Sequence, residues 1–273
     1  MRFKLTIEYA GSRYSGWQIQ KNARTVQGEI DRAVRTVTGR KDFELYGSGR
    51  TDAGVHALAQ IAHLDVVTPL AAEPLRRRLN DELPADINIL SAATVPHRFH
   101  ARHDAVARRY VYQIARRRTA FAKPYVWWVK EELDAPRMRA AAAALVGMKD
   151  FSAFVETESA NKAPKAPEKS SLVLVERLDV VEDGDLVLVV VEGSHFLWKM
   201  VRRIVGVLVE IGRGGLETDA AGRLLAADSE IPARLTAPAS GLFLDRVFYA
   251  DERREAAVRA PTPITAVRGA SLR

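Results

Sequence analysis

Residues 3–9 read F-K-L-T-I-E-Y, apolar at every second position, the period of a strand with one buried face. The next ten residues, Gly11 to Gln20, are polar and contain glycine, and they predict a loop. From Thr25 the period becomes helical. Val26, Ile30, Ala33, Val34 and Val37 share one face, the Thr25 hydroxyl can cap the helix, and Gly39 stops it after about Thr38. Phe43 to Tyr46 predicts a short strand broken by Gly47-Ser48-Gly49, and Ala57 to Val67 a longer one. Pro74 opens a short basic helix to about Leu83, and Ile87 to Val95 is a strand again. The order β-α-β-β-α-β is the ferredoxin-like split pattern, a four-stranded sheet with two helices on one face.

A second set of elements starts at Ala105. Strands are predicted over Ala105 to Arg116 and Val126 to Val129, with an alanine-rich helix over Pro136 to Val146. Leu172 to Val181 and Leu186 to Glu192 predict a hairpin about Glu182-Asp183-Gly184-Asp185. Helices over His195 to Gly212 and Thr218 to Ala227 and a strand over Leu242 to Tyr249 complete the set. Residues 161–171 hold two prolines, three lysines and no apolar period, and predict a flexible loop. The expected fold class is α+β in two mixed domains, 1–104 and 105–250. Residues 251–273, rich in Arg, Ala, Pro and Thr, predict a mobile tail. No clear sequence repeat relates the two halves.

Composition narrows this picture. With 47% hydrophobic and 27% charged residues the chain is ordinary globular material. No run of about eighteen uncharged apolar residues exists to span a membrane, and even Val201 to Ile211 carries Arg202, Arg203 and Glu210. The N-terminus predicts a strand, not a signal peptide. The absence of cysteine removes disulfides, thiolate metal sites and cysteine nucleophiles, and fits a cytoplasmic location. The net charge of +7 is unevenly placed: Lys and Arg outnumber Asp and Glu 22 to 12 over residues 1–130, against 19 to 22 in the remainder. Arg76-Arg77-Arg78, Arg108-Arg109 and Arg116-Arg117-Arg118 are the densest runs. This asymmetry points to a polyanion, with nucleic acid first; the alternative is a solvated arginine-rich surface.

Four segments carry candidate chemistry. Gly47-Ser-Gly-Arg-Thr-Asp-Ala-Gly-Val-His-Ala57 joins two predicted strands, and its glycines permit positive φ and close approach by a ligand. Asp52 is a short acid suited to act as nucleophile or general base, with Arg50 two residues away, in reach of a phosphate or of Asp52. The alternative is a glycine-rich turn in which Asp52 bonds backbone amides. A metal site lacks donors, since only His56 is nearby, and the P-loop ending is absent. Phe99 to Ile114 interleaves arginine with aromatics, and Tyr110 and Tyr112 lie on one strand face, an arrangement that can hold phosphates and an unstacked base or simply form an edge strand. Gly193 to Gly206 is an apolar helix interrupted by Arg202 and Arg203, which need anionic partners if buried and are ordinary if they reach solvent. Ala237-Pro-Ala-Ser-Gly-Leu-Phe-Leu244 is a turn delivering a strand.

Together these segments resemble the tRNA pseudouridine synthase A family. The match to G-R-T-D-A-G-V-H-A is complete, and F-H-A-R, R-R-Y-x-Y, M-V-R and P-A-x-G-L follow in order, so that the similarity spans roughly residues 3 to 250. The resemblance implies two α/β domains, ferredoxin-like, with joined, mainly antiparallel sheets and a basic cleft. It implies conversion of uridine to pseudouridine at positions 38, 39 and 40 of the tRNA anticodon arm, without cofactor or metal, by a homodimer in which one tRNA touches both subunits. Asp52 then matches the nucleophile, Tyr110 the tyrosine that stacks on the base, and Arg202 the cation beside the catalytic carboxylate. Arg50 matches the arginine that holds the flipped nucleotide, and Leu242 an apolar contact to the base. Attack at C6 of the base and at C1′ of the ribose both remain open. The chain departs from the family at Arg203, where many members have Asn. It departs again at Glu156 to Ser170, which replaces a cysteine-containing stretch, and beyond Asp251. Two rival readings stay in view: a tRNA-binding module without catalysis, and a pseudouridine synthase acting on another RNA. A two-carboxylate glycosidase lacks a second acid near Asp52.

Overall fold

The computed structural model describes residues 1–155, 170–250, 252–254 and 257–264. The loop expected over 161–171 falls outside them, except for its last two residues. In chain order the elements are β1 (Arg2–Tyr9), α1 (Val26–Thr38), β2 (Glu44–Gly47), β3 (His56–Asp65), α2 (Ala72–Glu82), β4 (Ile87–Val95) and β5 (Ala105–Ala115). There follow β6 (Trp127–Trp128), α3 (Ala135–Ala143), β7 (Gly147–Asp150), β8 (Leu172–Asp183), β9 (Leu186–Gly193), α4 (Met200–Gly212), α5 (Ala220–Leu225), α6 (Ile231–Arg234) and β10 (Leu242–Tyr249). The α+β class expected from the sequence is observed.

The described residues form two compact units, Met1–Tyr110 with Leu242–Ala256, and Val111–Gly241 with Ala257–Arg273. This differs from the expected division at 104/105. Strand β5 runs through the boundary, and β10 returns to pair in parallel with β3. A chain that revisits its first sheet cannot be divided by one cut in sequence.

In the first unit β1 lies between β4 and β3, antiparallel to both, with Leu5 opposite Ala92 and Ala62. The far edge of β3 is shared: β2 takes Ala62–Asp65 and β10 takes His56–Ala57. Phe3, Leu5, Ile7 and Tyr9 of β1 are buried in one core with Val26, Ile30, Ala33 and Val34 of α1 and Leu75 and Leu79 of α2. Each such aliphatic side chain contributes about 1.5–3 kcal/mol. The split pattern with both helices on one face is therefore realised. The α1 ends are set locally. Thr25 Oγ1 accepts from the Gly28 amide at 3.2 Å, and Gly39 closes the helix at φ 67°.

In the second unit β8 and β9 form the expected hairpin, turning at Gly184 with φ 57°, and β7 pairs with the other edge of β8. All eight residues of β9 are buried, as its run L-V-L-V-V-V predicts for a strand covered on both faces. Helix α4 starts at Met200, five residues later than its apolar run suggests, because Lys199 stands at φ 58° and breaks the helical path. The pattern misses β7 and α6, each only four residues long.

Residues 257–264, within the expected tail, are packed against the second unit. Val258, Ala260 and Ile264 pack against a cluster of Val111, Ala115, Ala122, Val126, Leu186, Leu188 and Val190. Thr262 is tied to the buried Gln113 in both directions. Its amide donates to Oε1 at 3.1 Å, and its hydroxyl accepts from Nε2 at 2.6 Å. Alternate apolar residues can seat a short strap even in a segment rich in Arg and Pro. The rest of the expected tail (251, 255–256 and 265–273) lies outside the described residues. Truncation after residue 256 is expected to uncover this cluster and lower the unfolding midpoint by about 2–4 °C for each kcal/mol lost. An unchanged midpoint in scanning calorimetry would show that the strap contributes nothing.

Candidate active site

The loop between β2 and β3 carries Asp52, and main-chain contacts hold both of its arms. On the leading arm the Ser48 amide donates to Ile61 O at 2.7 Å, and Ser48 Oγ donates to Gln60 Oε1 at 2.6 Å. Gln60 Nε2 in turn donates to Gly49 O at 3.1 Å. Next to the acid on the same arm, Thr51 O accepts from the Trp17 amide at 3.1 Å, and Thr51 Oγ1 shares a 2.8 Å hydrogen bond with the Tyr9 hydroxyl. On the trailing arm the Gly54 amide donates to Tyr14 O at 3.3 Å, and the Val55 amide donates to Asp52 O at 3.2 Å, which turns the chain at the acid.

Glycine makes this approach possible. Gly16 sits at φ 88°, and a Cβ there would lie 2.5 Å from Thr51 O. A Cβ on Gly11 would lie 1.9 Å from Val55 O, and one on Gly47 2.7 Å from the Trp17 ring. His56 supports the same framework: Nδ1 accepts from the Gly11 amide at 3.0 Å, and its ring stacks on Phe243 at 4.7 Å. Among the described residues no group of three or more His, Asp or Glu is placed to hold a metal.

Asp52 is half-buried and Arg50 is exposed. Tyr110, at the end of β5's first half, is half-buried in the same unit. Its phenol is pushed up to about 12, chiefly by burial; the negative charge of Asp52 adds to the rise, and the Arg108 cation opposes it. Acid and phenol are thus within electrostatic reach of one another.

The arginines of R-R-Y have structural work. Arg108 donates to Ala105 O, Ser48 O and Arg102 O at 2.9–3.2 Å, clipping the leading arm of the loop to the 102–105 turn. Arg109 is buried, 3.7 Å from Asp245, with its guanidinium 4.9 Å from the Phe248 ring. Neither is the solvated phosphate ligand that the strand pattern suggests. Surface runs are also partly neutralised: Arg76 and Arg77 pair with Glu73, Arg116 with Glu182 and Arg117 with Asp185.

In the second unit the two arginines of α4 separate. Arg203 is buried, and Arg202 is half-buried. Arg202 Nε donates to Ala237 O at 2.7 Å, while its own carbonyl accepts from the Ala237 amide at 3.0 Å. The P-A-S-G turn behind Ala237 is seated on Tyr112, whose hydroxyl donates to Pro238 O at 2.7 Å and whose ring would meet a Gly241 Cβ at 2.6 Å. That turn delivers Leu242, buried at the start of β10. Arg50, Asp52, Tyr110 and Leu242 therefore all belong to the first unit, and Arg202 belongs to the second. The supports from Tyr9, Gly11, Gly16 and Trp17 are not legible as a site. Their only signal is that a polar, glycine-containing loop retains a tryptophan and a tyrosine.

A family model described as tRNA pseudouridine synthase matches residues 5–104 and 141–250. The tRNA pseudouridine synthases A of Rhodopseudomonas palustris strain BisB18 and Nitrobacter hamburgensis are each 43% identical to this chain over 251 residues, 91% of this chain and 99% of theirs. That of Bradyrhizobium diazoefficiens is 40% identical over the same lengths. Among solved structures, a chain of a Cbf5–Nop10–Gar1 complex superposes with a TM-score of 0.30 at 11% identity over 76% of this chain and 54% of that one, a likeness too loose to bear on function. With the motif loop intact and the match covering nearly the whole length of its relatives, the chain belongs to the tRNA pseudouridine synthase A family.

Proposed function

We propose that this protein isomerises uridine to pseudouridine at positions 38, 39 and 40 of the tRNA anticodon stem-loop, with Asp52 as the nucleophile. The observation that carries the reading is the G-R-T-D turn, which presents a half-buried acid from two fastened arms in a chain of this family. A uridine within a stacked stem has to leave the stack before its glycosidic bond is reachable, which costs a few kcal/mol; phosphate contacts with the basic surface offset that cost. The Asp52 carboxylate attacks C6 of the base or C1′ of the ribose. The C1′–N1 bond breaks, the uracil turns, and a C1′–C5 bond forms; the bond to the Asp52 carboxylate then breaks, returning the free acid, while C5 loses its proton and N1 gains one. Nothing is added or removed overall, so the balance calls for no cofactor.

Tyr110, with its phenol at about 12, is neutral across the physiological range, which favours stacking on the extruded base over removal of the C5 proton. Arg50, exposed two residues from the acid, is assigned to hold the flipped nucleotide, Leu242 to contact the base, and Arg202 to partner the carboxylate. The working unit is a cytoplasmic homodimer.

Asp52→Asn is expected to abolish pseudouridine formation while leaving tRNA affinity within about twofold of the parent, since an amide keeps the shape of the acid but is not a nucleophile. Mass-spectrometric mapping of tRNA from cells lacking the protein should show uridine at positions 38–40. An active Asn variant sinks the nucleophile assignment, and an unchanged anticodon arm sinks the target. Gly16→Ala, which drives a methyl against Thr51 O, is expected to lower turnover on the order of 10- to 100-fold by displacing the acid, with tRNA affinity little changed. Parental turnover would show that the turn absorbs the shift. Light scattering is expected to return twice the mass of one chain, and cell fractionation to place the protein in the cytoplasm. A stable, active monomer rejects the dimer.

A further inference from the structure

Beside the Asp52 loop, within the first unit, a cavity of about 350 Å³ is lined by Trp17, Tyr46, Gly49, Arg50 and Arg102 among others. This is the size range of small-ligand pockets. Tyr46, on the four-residue strand β2, is 52% exposed. Its ring is not loose. It stacks on His63, its cross-strand partner, at 5.5 Å and 21°, and leans on His100 at 5.8 Å.

That backing is itself fixed. His63 is buried, and its Nδ1 accepts from the Ala101 amide at 3.1 Å. The same ring position in His100 accepts from the Arg102 and His103 amides at 3.1 and 3.2 Å. Burial and the nearby Arg2 charge hold His63 down at about 4, so the ring beneath Tyr46 is neutral at physiological pH. A rigid aromatic face of this kind gives up little conformational freedom when it takes a second ring.

Charge sorts the cavity. Arg50 and Arg102 are exposed. Asp31 and Glu44 also line it, and Asp31 is paired with Arg35 at 2.6 Å. The acids repel a phosphate, which therefore belongs on the arginine side, and the uncharged base belongs with Tyr46. We infer that this cavity holds one unstacked nucleotide of the RNA flanking the target uridine, with its base on the Tyr46 ring and its phosphate on Arg102. The inference rests on the proposed action on tRNA.

Binding of a tRNA transcript to the Asp52→Asn protein, across a salt series, tests it without turnover. Adding Tyr46→Ala is expected to weaken affinity roughly five- to 150-fold, the range for loss of one base–aromatic stack, with the salt slope unchanged. Tyr46→Phe keeps the ring and should bind within about twofold of the parent. Tyr46→Leu keeps an apolar strand residue without the ring and should fall with Ala, which separates lost stacking from a loosened strand. Arg102→Gln is expected to lower the slope of log affinity against log salt by about one. Parental affinity in both the Ala and Leu proteins overturns the subsite, as does a Phe protein as weak as Ala. Neither result touches the synthase reading, which fails separately if wild-type protein forms no pseudouridine in tRNA.

Discussion

The chemistry of the first unit depends on one set of main-chain hydrogen bonds, those joining residues 11–17 to residues 51–55. Trp17 and Gly54 donate across that seam to Thr51 and Tyr14, and Gly11 and Gly16 leave out the Cβ atoms that would force the strands of chain apart. An acid on a surface loop is ordinarily mobile. Here the residues on both sides of Asp52 are fastened to the core, through Tyr9, Trp17 and Gln60 before the acid and through Tyr14 after it. Precision at the acid is therefore a property of the packed framework rather than of the loop's own sequence.

The topology of β3 places this loop. Its far edge is divided between β2, which enters the loop, and β10, which arrives from the C-terminal end of the chain. His56, the first residue of β3, joins both: it accepts from Gly11 and stacks on Phe243. A residue that reads as the one possible metal donor near Asp52 is thus a buried structural histidine. The turn that precedes β10 is held in turn by Arg202 and Tyr112 in the second unit.

Arginine is used in two ways, and composition cannot tell them apart. Arg108 and Arg109 point inward, one satisfying three carbonyls and the other lying against Phe248 near Asp245. Many outward arginines are paired with carboxylates on their own helix or hairpin, pairs worth only about 0–1 kcal/mol each. The cationic groups left beside the cavity, Arg50 and Arg102, are few. The formal charge therefore overstates how many cations stand ready for a polyanion, while its bias toward the first half of the chain still marks the side on which such a partner gains most.

Much of the architecture was readable from the sequence alone. The two-residue period of residues 3–9, the helical face from Val26 to Val37 with its Thr25 cap and Gly39 stop, and the ferredoxin-like order of the first six elements are local properties that packing did not override. The G-R-T-D-A-G-V-H-A string marked the candidate site, because the motif is continuous in sequence. Only the tertiary structure decided the rest. It brought β10 back to β3, seated residues 257–264 on the second unit, set the start of α4 at Met200, turned Arg108 and Arg109 inward and exposed Tyr46 over His63. Each of these rests on contacts between residues distant along the chain, and periodicity reports a residue's own face without naming what will cover it.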